Sequence, residues 1–228
     1  MSDCYYELLD ADDPAGERFA PTDLVRSTWG ATMQHAAPVS ALRVRSLQRC
    51  EQRDDTRLIR VMIDLLGPVP ADGDCWVRSR LERPGRQIEL VSAEMLAAGP
   101  DGTPRPVARA SGWRMQQTDT RELVSASAPP LRPVSEGRDP GYVQDWDTNY
   151  LHSVQWRWLT RPLQESPGES WLRPTVDIVK GEQMSQLERL FAVADDANGI
   201  GSKIDIRNWT FLNTDLVVHV HRVPDGEW

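Results

Sequence analysis

Four stretches between residues 57 and 115 carry the apolar spacing of β-strands. RLIRVMIDLL is a run of branched side chains that halts at Gly67-Pro68. DCWVRSRLE alternates, with Cys75, Val77, Ser79 and Leu81 on one face and Trp76, Arg78, Arg80 and Glu82 on the other. RQIELVSAEMLAA follows Pro84-Gly85 and stops at GPDGTP, and PVARASGWRM closes the set. Short turns between the four predict an antiparallel meander. Upstream, PVSALRVRSLQRC (38–50) has good helix formers, a proline suited to a first turn and no internal breaker, so a helix is expected there. Two short strand-like pieces precede it, near residues 5–9 and 24–29.

The order then repeats. HSVQWRWL and SWLRPTVDIV read as strands, the second interrupted at Pro174. EQMSQLERLFAVA reads as a helix and NWTFLNTDLVVHVHR (208–222) as one long strand. Proline-rich SAPPLRPVSEGRDPG (127–141) separates the copies as a linker. The fold class expected is α+β: two tandem units, each a helix lying on an antiparallel sheet, over residues 1–117 and 150–228 with a linker at 118–149. After its helix the first copy supplies four strands and the second supplies one, which leaves a bare sheet edge. The expectation is a second unit truncated at its C-terminus by on the order of 50 residues. A smaller second domain, or an edge covered by another subunit, is the alternative.

Composition narrows the function classes. Across 228 residues, 39% are apolar and 26% charged, ordinary values for a soluble globular chain. The net charge of −8 disfavours nucleic acid as a partner. No apolar run approaches the ~20 residues of a membrane span, and MSDCYYELLDADDP lacks the features of a signal peptide, so a cytoplasmic protein is expected. Cys4, Cys50 and Cys75 are odd in number and widely spaced, which points to neither disulfides nor zinc. The nine tryptophans suit well-filled sheet faces first and an apolar ligand pocket second.

Candidate chemistry centres on VADDANGIG. With a helix over 183–196 at about 100° per residue, Met184, Leu187, Leu190, Phe191 and Ala194 form one stripe. Asp195 falls at the edge of that stripe, and Asp196 falls almost opposite its centre, facing water. A carboxylate at the rim is partly desolvated, hence more basic. The alternative is a pair of solvated acids, at a helix end whose dipole opposes them.

A helix-on-meander repeat is the plan of the hotdog fold, doubled. The stretches MQHAAPVSAL, LLGPVP, ERPGRQIELVSAEM, ARASGWRM, VADDANGIG, NWTFLNTDLVVHVHR and PDGEW, in that order, resemble the thioesterase-like family related to acyl-CoA thioesterase II, the double-hotdog acyl-CoA hydrolases. The resemblance implies that an aspartate at the end of the second helix activates water against a thioester; in Ala-Asp-x-x-Asn-Gly that residue is Asp195. It implies a water-holding polar residue two positions before the motif Asp-x(6)-Arg. Here that motif runs from Asp215 to Arg222 and the residue is Asn213, where the family commonly has threonine. A third residue of the family, a glutamine in the last strands, has no counterpart. A Gly-Gly pair whose amides face the substrate is replaced by Ala36-Ala37, after Gln34-His35.

The expected substrate-binding residues are therefore His35, Ala36 and Ala37, with Arg86 of Gly85-Arg86 either beside a CoA phosphate or simply a solvated cation in a turn. His219 and His221 share a strand face but lack further ligands, so packed or hydrogen-bonded histidines are expected rather than a metal site. No metal or other cofactor is implied. Acyl-CoA thioester hydrolysis, in a homodimer of double hotdogs, is the function expected. A non-catalytic acyl-ligand binder is the alternative from another class. Acyl-CoA hydration is a third, weakened because residues 199–206 lack the histidine that follows the aspartate in hotdog hydratases.

Overall fold

The computed structural model describes residues 3–99, 101–125, 129–139, 149–161, 168–205 and 208–228. Its first half holds β1 (Cys4–Asp10), β2 (Glu17–Pro21), β3 (Arg26–Ser27), β4 (Gly30–Gln34), α1 (Ala36–Arg49), β5 (Thr56–Leu65), β6 (Cys75–Arg83), β7 (Ile88–Ala98) and β8 (Pro104–Gln116). The second holds α2 (Asn149–His152), β9 (Val154–Thr160), β10 (Glu169–Pro174), β11 (Asp177–Val179), α3 (Gln186–Ala194), α4 (Ala197–Ile200) and β12 (Asp215–His219). The eight-stranded main sheet has the order β11-β1-β2-β6-β7-β8-β5-β12. All its pairings are antiparallel except β1 with β11.

Only three of the four expected meander strands follow in sequence. β5 pairs with β8, not with β6, because residues 66–74 carry the chain across the sheet to place β6 beside β2. Alternation specifies which residues form a strand and which face is buried, but not the neighbour. Residues 24–29 form a 3-10 turn at Asp23–Val25 and the two-residue β3, while β2 and β4 went unanticipated. The long strand expected over 208–222 shrinks to β12. Its partner β5 reaches it through Asp64 opposite Asp215 and Arg60 opposite His219. Strands of the second half thus border both ends of the sheet, β11 on β1 and β12 on β5. Within 118–149, residues 126–128 and 140–148 lie outside the described residues. The remainder makes 3-10 turns at Arg121–Leu123 and Val134–Glu136, and Arg138 bridges to Trp158 of β9.

Helix α1 is buried nearly all round, since the sheet covers one side and α3 the other. Val39, Leu42, Val44 and Leu47 are fully enclosed, as are the side chains of Arg43 and Arg45. The helix nests where β8 carries Gly112: a Cβ there would stand 2.5 Å from Leu58 Cδ2 and 3.4 Å from Leu47 Cδ1. On the α3 side Arg45 donates to both oxygens of Glu182 (2.7 and 2.9 Å) and to both of Glu17 (2.9 and 3.1 Å), so one guanidinium ties α1 to β2 and to the loop before α3. Among the described residues no helix is long and apolar enough to cross a membrane.

Candidate active site

Ser185 caps α3 in a reciprocal capping box with Glu188, which sets the start three residues later than the expected 183. The helix ends at Ala194. Beyond it the hydrogen bonds tighten to the i→i−3 kind, Asp196 N to Val193 O at 3.1 Å and Asn198 N to Asp195 O at 3.1 Å. Asp195 is buried, 8% exposed, and Asp196, expected to face water, is buried as well at 6%. Asp196 is instead covered by His35 from the start of α1 and by Tyr150 from α2. A single-helix projection contains neither.

His35 is the N-cap of α1, and its Nδ1 accepts from the Ala37 amide at 3.2 Å. That bond places the imidazole hydrogen of the neutral ring on Nε2. The ring lies flat on Tyr150, with centroids 3.9 Å apart and planes 12° from parallel. Nδ1 stands 3.6 Å from Asp195 Oδ2, and Nε2 3.8 Å from Asp196 Oδ1. Burial holds the imidazole below its ordinary pKa, against the pull of Asp195. Burial raises Asp196 well above the usual carboxylate range; a hydrogen bond from Tyr150 opposes this and the charge of Asp195 adds to it. Tyr150 is itself raised, by burial first and then by Asp196.

Asn213, in the loop before β12, donates from Nδ2 to Asp195 Oδ1 at 2.8 Å. Beside these groups a cavity of about 40 Å³ is lined by Thr28, Trp29, Leu151, Trp156, Ile200 and Phe211 together with His35, Asp195 and Asp196. Its volume suits a few water molecules and falls far short of the ~300 Å³ of a small-molecule pocket. None of the described tryptophans is fully buried. Trp29 and Trp156 line this cavity.

The structure therefore brings His35, Asp195 and Asn213 together from three separate segments. Ala36 and Ala37 open α1 beside them; the Ala37 amide is engaged by His35, while the Ala36 amide, first in the helix, has no intrahelical acceptor. Arg86 is not part of this cluster. It sits exposed in the β6–β7 turn, its carbonyl accepting from Arg53 Nη2, and it does not line the cavity beside the aspartates. His219 and His221 are exposed, on and just after the outermost strand β12, so they are not packed side chains. The three cysteines are free and buried. Among the described residues no cluster of His, Cys, Asp and Glu is placed to hold a metal ion. Sequence reasoning missed Tyr150 and the burial of Asp196. Nothing local marks Tyr150, whose partners lie 42 and 46 residues away in the chain.

Comparison with known families matches residues 25–115 to an acyl-CoA thioesterase N-terminal domain and residues 125–228 to an acyl-CoA thioesterase C-terminal domain. No curated protein matches the chain. Among solved structures, a hot dog fold protein of unknown function from Alicyclobacillus acidocaldarius superposes with a TM-score of 0.68 at 12% identity, over 95% of this chain and 80% of that one. A tesB protein from Mycobacterium avium subs paratuberculosis gives 0.57 at 13% identity, over 91% and 75%. The acyl-CoA thioesterase II TesB2 from Mycobacterium marinum gives 0.52 at 12%, over 83% and 65%. At these identities the structures establish the hotdog fold alone. With both domain models matched in order, the chain belongs to the acyl-CoA thioesterase family and has its double-hotdog architecture.

Proposed function

We propose that the protein hydrolyses acyl-CoA thioesters with water activated by Asp195. The observation that carries this reading is the buried Asp195, fixed through Oδ1 by Asn213 at 2.8 Å beside a cavity of water size. Oδ2 is then the oxygen that accepts a proton from the attacking water. The water oxygen bonds to the thioester carbon, the carbonyl electrons move onto oxygen, and the Ala36 amide at the helix N-terminus stabilises that oxyanion. Collapse breaks the C–S bond, and the proton held on Asp195 passes to the leaving thiolate. Products are a carboxylic acid and free CoA. The apolar wall of Trp29, Leu151, Trp156, Ile200 and Phe211 accommodates the acyl group by moving apart, since the cavity is too small for an acyl chain as it stands. A cytoplasmic homodimer is part of the same reading.

One observation favours a second reading. The histidine that hydratase chemistry needs is absent after Asp196 in sequence, yet His35 supplies one in space, 3.6 Å from Asp195. A panel of saturated and 2-enoyl CoA esters separates the two, with thiol release reporting hydrolysis and loss of enoyl absorbance reporting hydration. Hydrolysis of saturated esters, reduced roughly 10²–10⁴-fold in Asp195→Asn, is the expected result. Equal rates in the variant remove Asp195 from the mechanism, and binding without turnover of either kind makes the protein an acyl-ligand binder.

A further inference from the structure

Tyr150 has one hydroxyl hydrogen and two buried acceptors within reach: the Ala192 carbonyl at 2.9 Å and Asp196 Oδ2 at 2.7 Å. Ala192 lies in the last turn of α3, where carbonyls have no intrahelical donor, so its oxygen depends on an outside partner. If Tyr150 gives its hydrogen to Ala192, two oxygen atoms 2.7 Å apart are left facing each other at Tyr150 and Asp196, and a proton must lie between them. Only Asp196 can supply it. If Asp196 were instead ionised, its charge would stand beside that of Asp195 inside the protein, with no lysine or arginine paired to either acid among the described residues. His35 does not provide the missing cation, because its Nδ1 already accepts from the Ala37 amide.

The geometry points to Asp196 as a positioning residue that works as a neutral acid: its hydroxyl donates to Tyr150, Tyr150 donates to Ala192, and Asp195 is left as the single anion of the pair. Its catalytic consequence rests on the proposed hydrolysis, whereas its protonation does not. In this state Asp196 adds no second negative charge to repel the oxyanion and the leaving thiolate, and its bond with Tyr150 ties α2 to the end of α3. The groups that face it are Tyr150 from α2, Tyr5 from β1, His35 at the start of α1 and Asp195 next to it in the chain. Arg43, further along α1, acts on Asp195.

Three readouts test the inference. In infrared difference spectra at pH 7, wild type minus Asp196→Asn should contain the carbonyl band of a protonated carboxylic acid, and a carboxylate pair in its place overturns the proposal. A ¹³C-carboxyl titration of labelled wild-type protein reads the same state without any variant: one aspartate should keep its proton above neutral pH, and if all have lost theirs by pH 6 the proposal fails. In kinetics, Asp196→Asn carries the same donor to Tyr150 and should stay within about threefold of wild-type kcat/KM, while Asp196→Ala falls by about tenfold or more. The alkaline limb of the wild-type profile, where Asp196 ionises, should vanish in Asp196→Asn; if the limb persists, or if Asn and Ala are equally damaging, Asp196 is not held neutral for this purpose. Should wild type hydrolyse no thioester at all, the proposed function falls, and the two spectroscopic readouts still decide the protonation of Asp196.

Discussion

Asn213 donates to Asp195 Oδ1 at 2.8 Å, joining the loop before β12 to the end of α3 across 18 residues of chain. Asp195 is thereby held at one oxygen and open at the other, the arrangement a water-activating base needs. Asn213→Ala removes a hydrogen bond to a charged group, worth about 1.5–3 kcal/mol, and should lower kcat roughly 10- to 100-fold with little change in KM. Asn213→Thr keeps a donor and should recover most of the rate. Steady-state kinetics on one acyl-CoA measure both; a KM effect at constant kcat would assign Asn213 to substrate binding instead.

The wall of the cavity has a specific weak point. Trp29 and Phe211 meet edge to face, with centroids 5.0 Å apart, and both line the space beside Asp195. Phe211→Ala removes a half-buried ring from the cavity wall and enlarges the cleft. The preferred acyl chain should lengthen, seen as a rise in kcat/KM for longer esters relative to shorter ones. A uniform fall across the panel would place Phe211 outside the acyl path.

How much of this was legible in the sequence follows from the range of each interaction. The α+β repeat, the helix at α1 and the strands β5 to β8 are written in local periodicity, and Asp195 was selected by helical phase and by the Ala-Asp-x-x-Asn-Gly pattern alike. The partner of β5 was not legible, because alternation carries no information on strand order. Helical phase along α3 alone points Asp196 at water; Tyr150 and His35, which bury it, come from elsewhere in the chain. The Tyr150–Asp196 pair has no signature in composition, period or spacing. Tyr150→Phe checks its weight: the Ala192 carbonyl and Asp196 each lose a buried partner, so stability should fall by about 1–3 kcal/mol per group in urea unfolding.

Glu182 gives the fold an acid-sensitive link. Burial raises its pKa, but Arg45 and Arg49 outweigh that and hold it below the ordinary glutamate value. Because the folded value is depressed, the stabilisation is present above the unfolded pKa of about 4.3 and is lost as pH falls through the folded one. Glu182→Gln should therefore unfold at lower denaturant than wild type at pH 7, by about 1–3 kcal/mol, since it leaves Arg45 with Glu17 alone. The gap should close as pH drops below about 4. A gap that stays constant from pH 7 to pH 3 would show that the carboxylate charge contributes nothing there.

Arg43 is the reverse case, a charge whose burial is uncompensated. Its side chain is fully enclosed; Nη1 lies 3.6 Å from Met95 Sδ, and Nε and Nη2 have no hydrogen-bond partner. Burial pushes the guanidinium down to about 10, against weaker opposing pulls from Tyr6, Cys75, Asp195 and Asp64. A buried unpaired cation destabilises the fold, and an apolar side chain of similar length removes the desolvation penalty while keeping the packing. Arg43→Met should raise stability by about 1–3 kcal/mol in urea unfolding. For a base with a depressed folded pKa, the unfolded chain binds more protons above that value, so wild-type stability climbs with pH there. The advantage of the methionine variant should accordingly stay level between pH 6 and 9 and shrink above about pH 10. A variant less stable than wild type would mean that Arg43 has a favourable partner in the folded protein, and the long-range charge of Asp195 is the first to test, by combining Arg43→Met with Asp195→Asn.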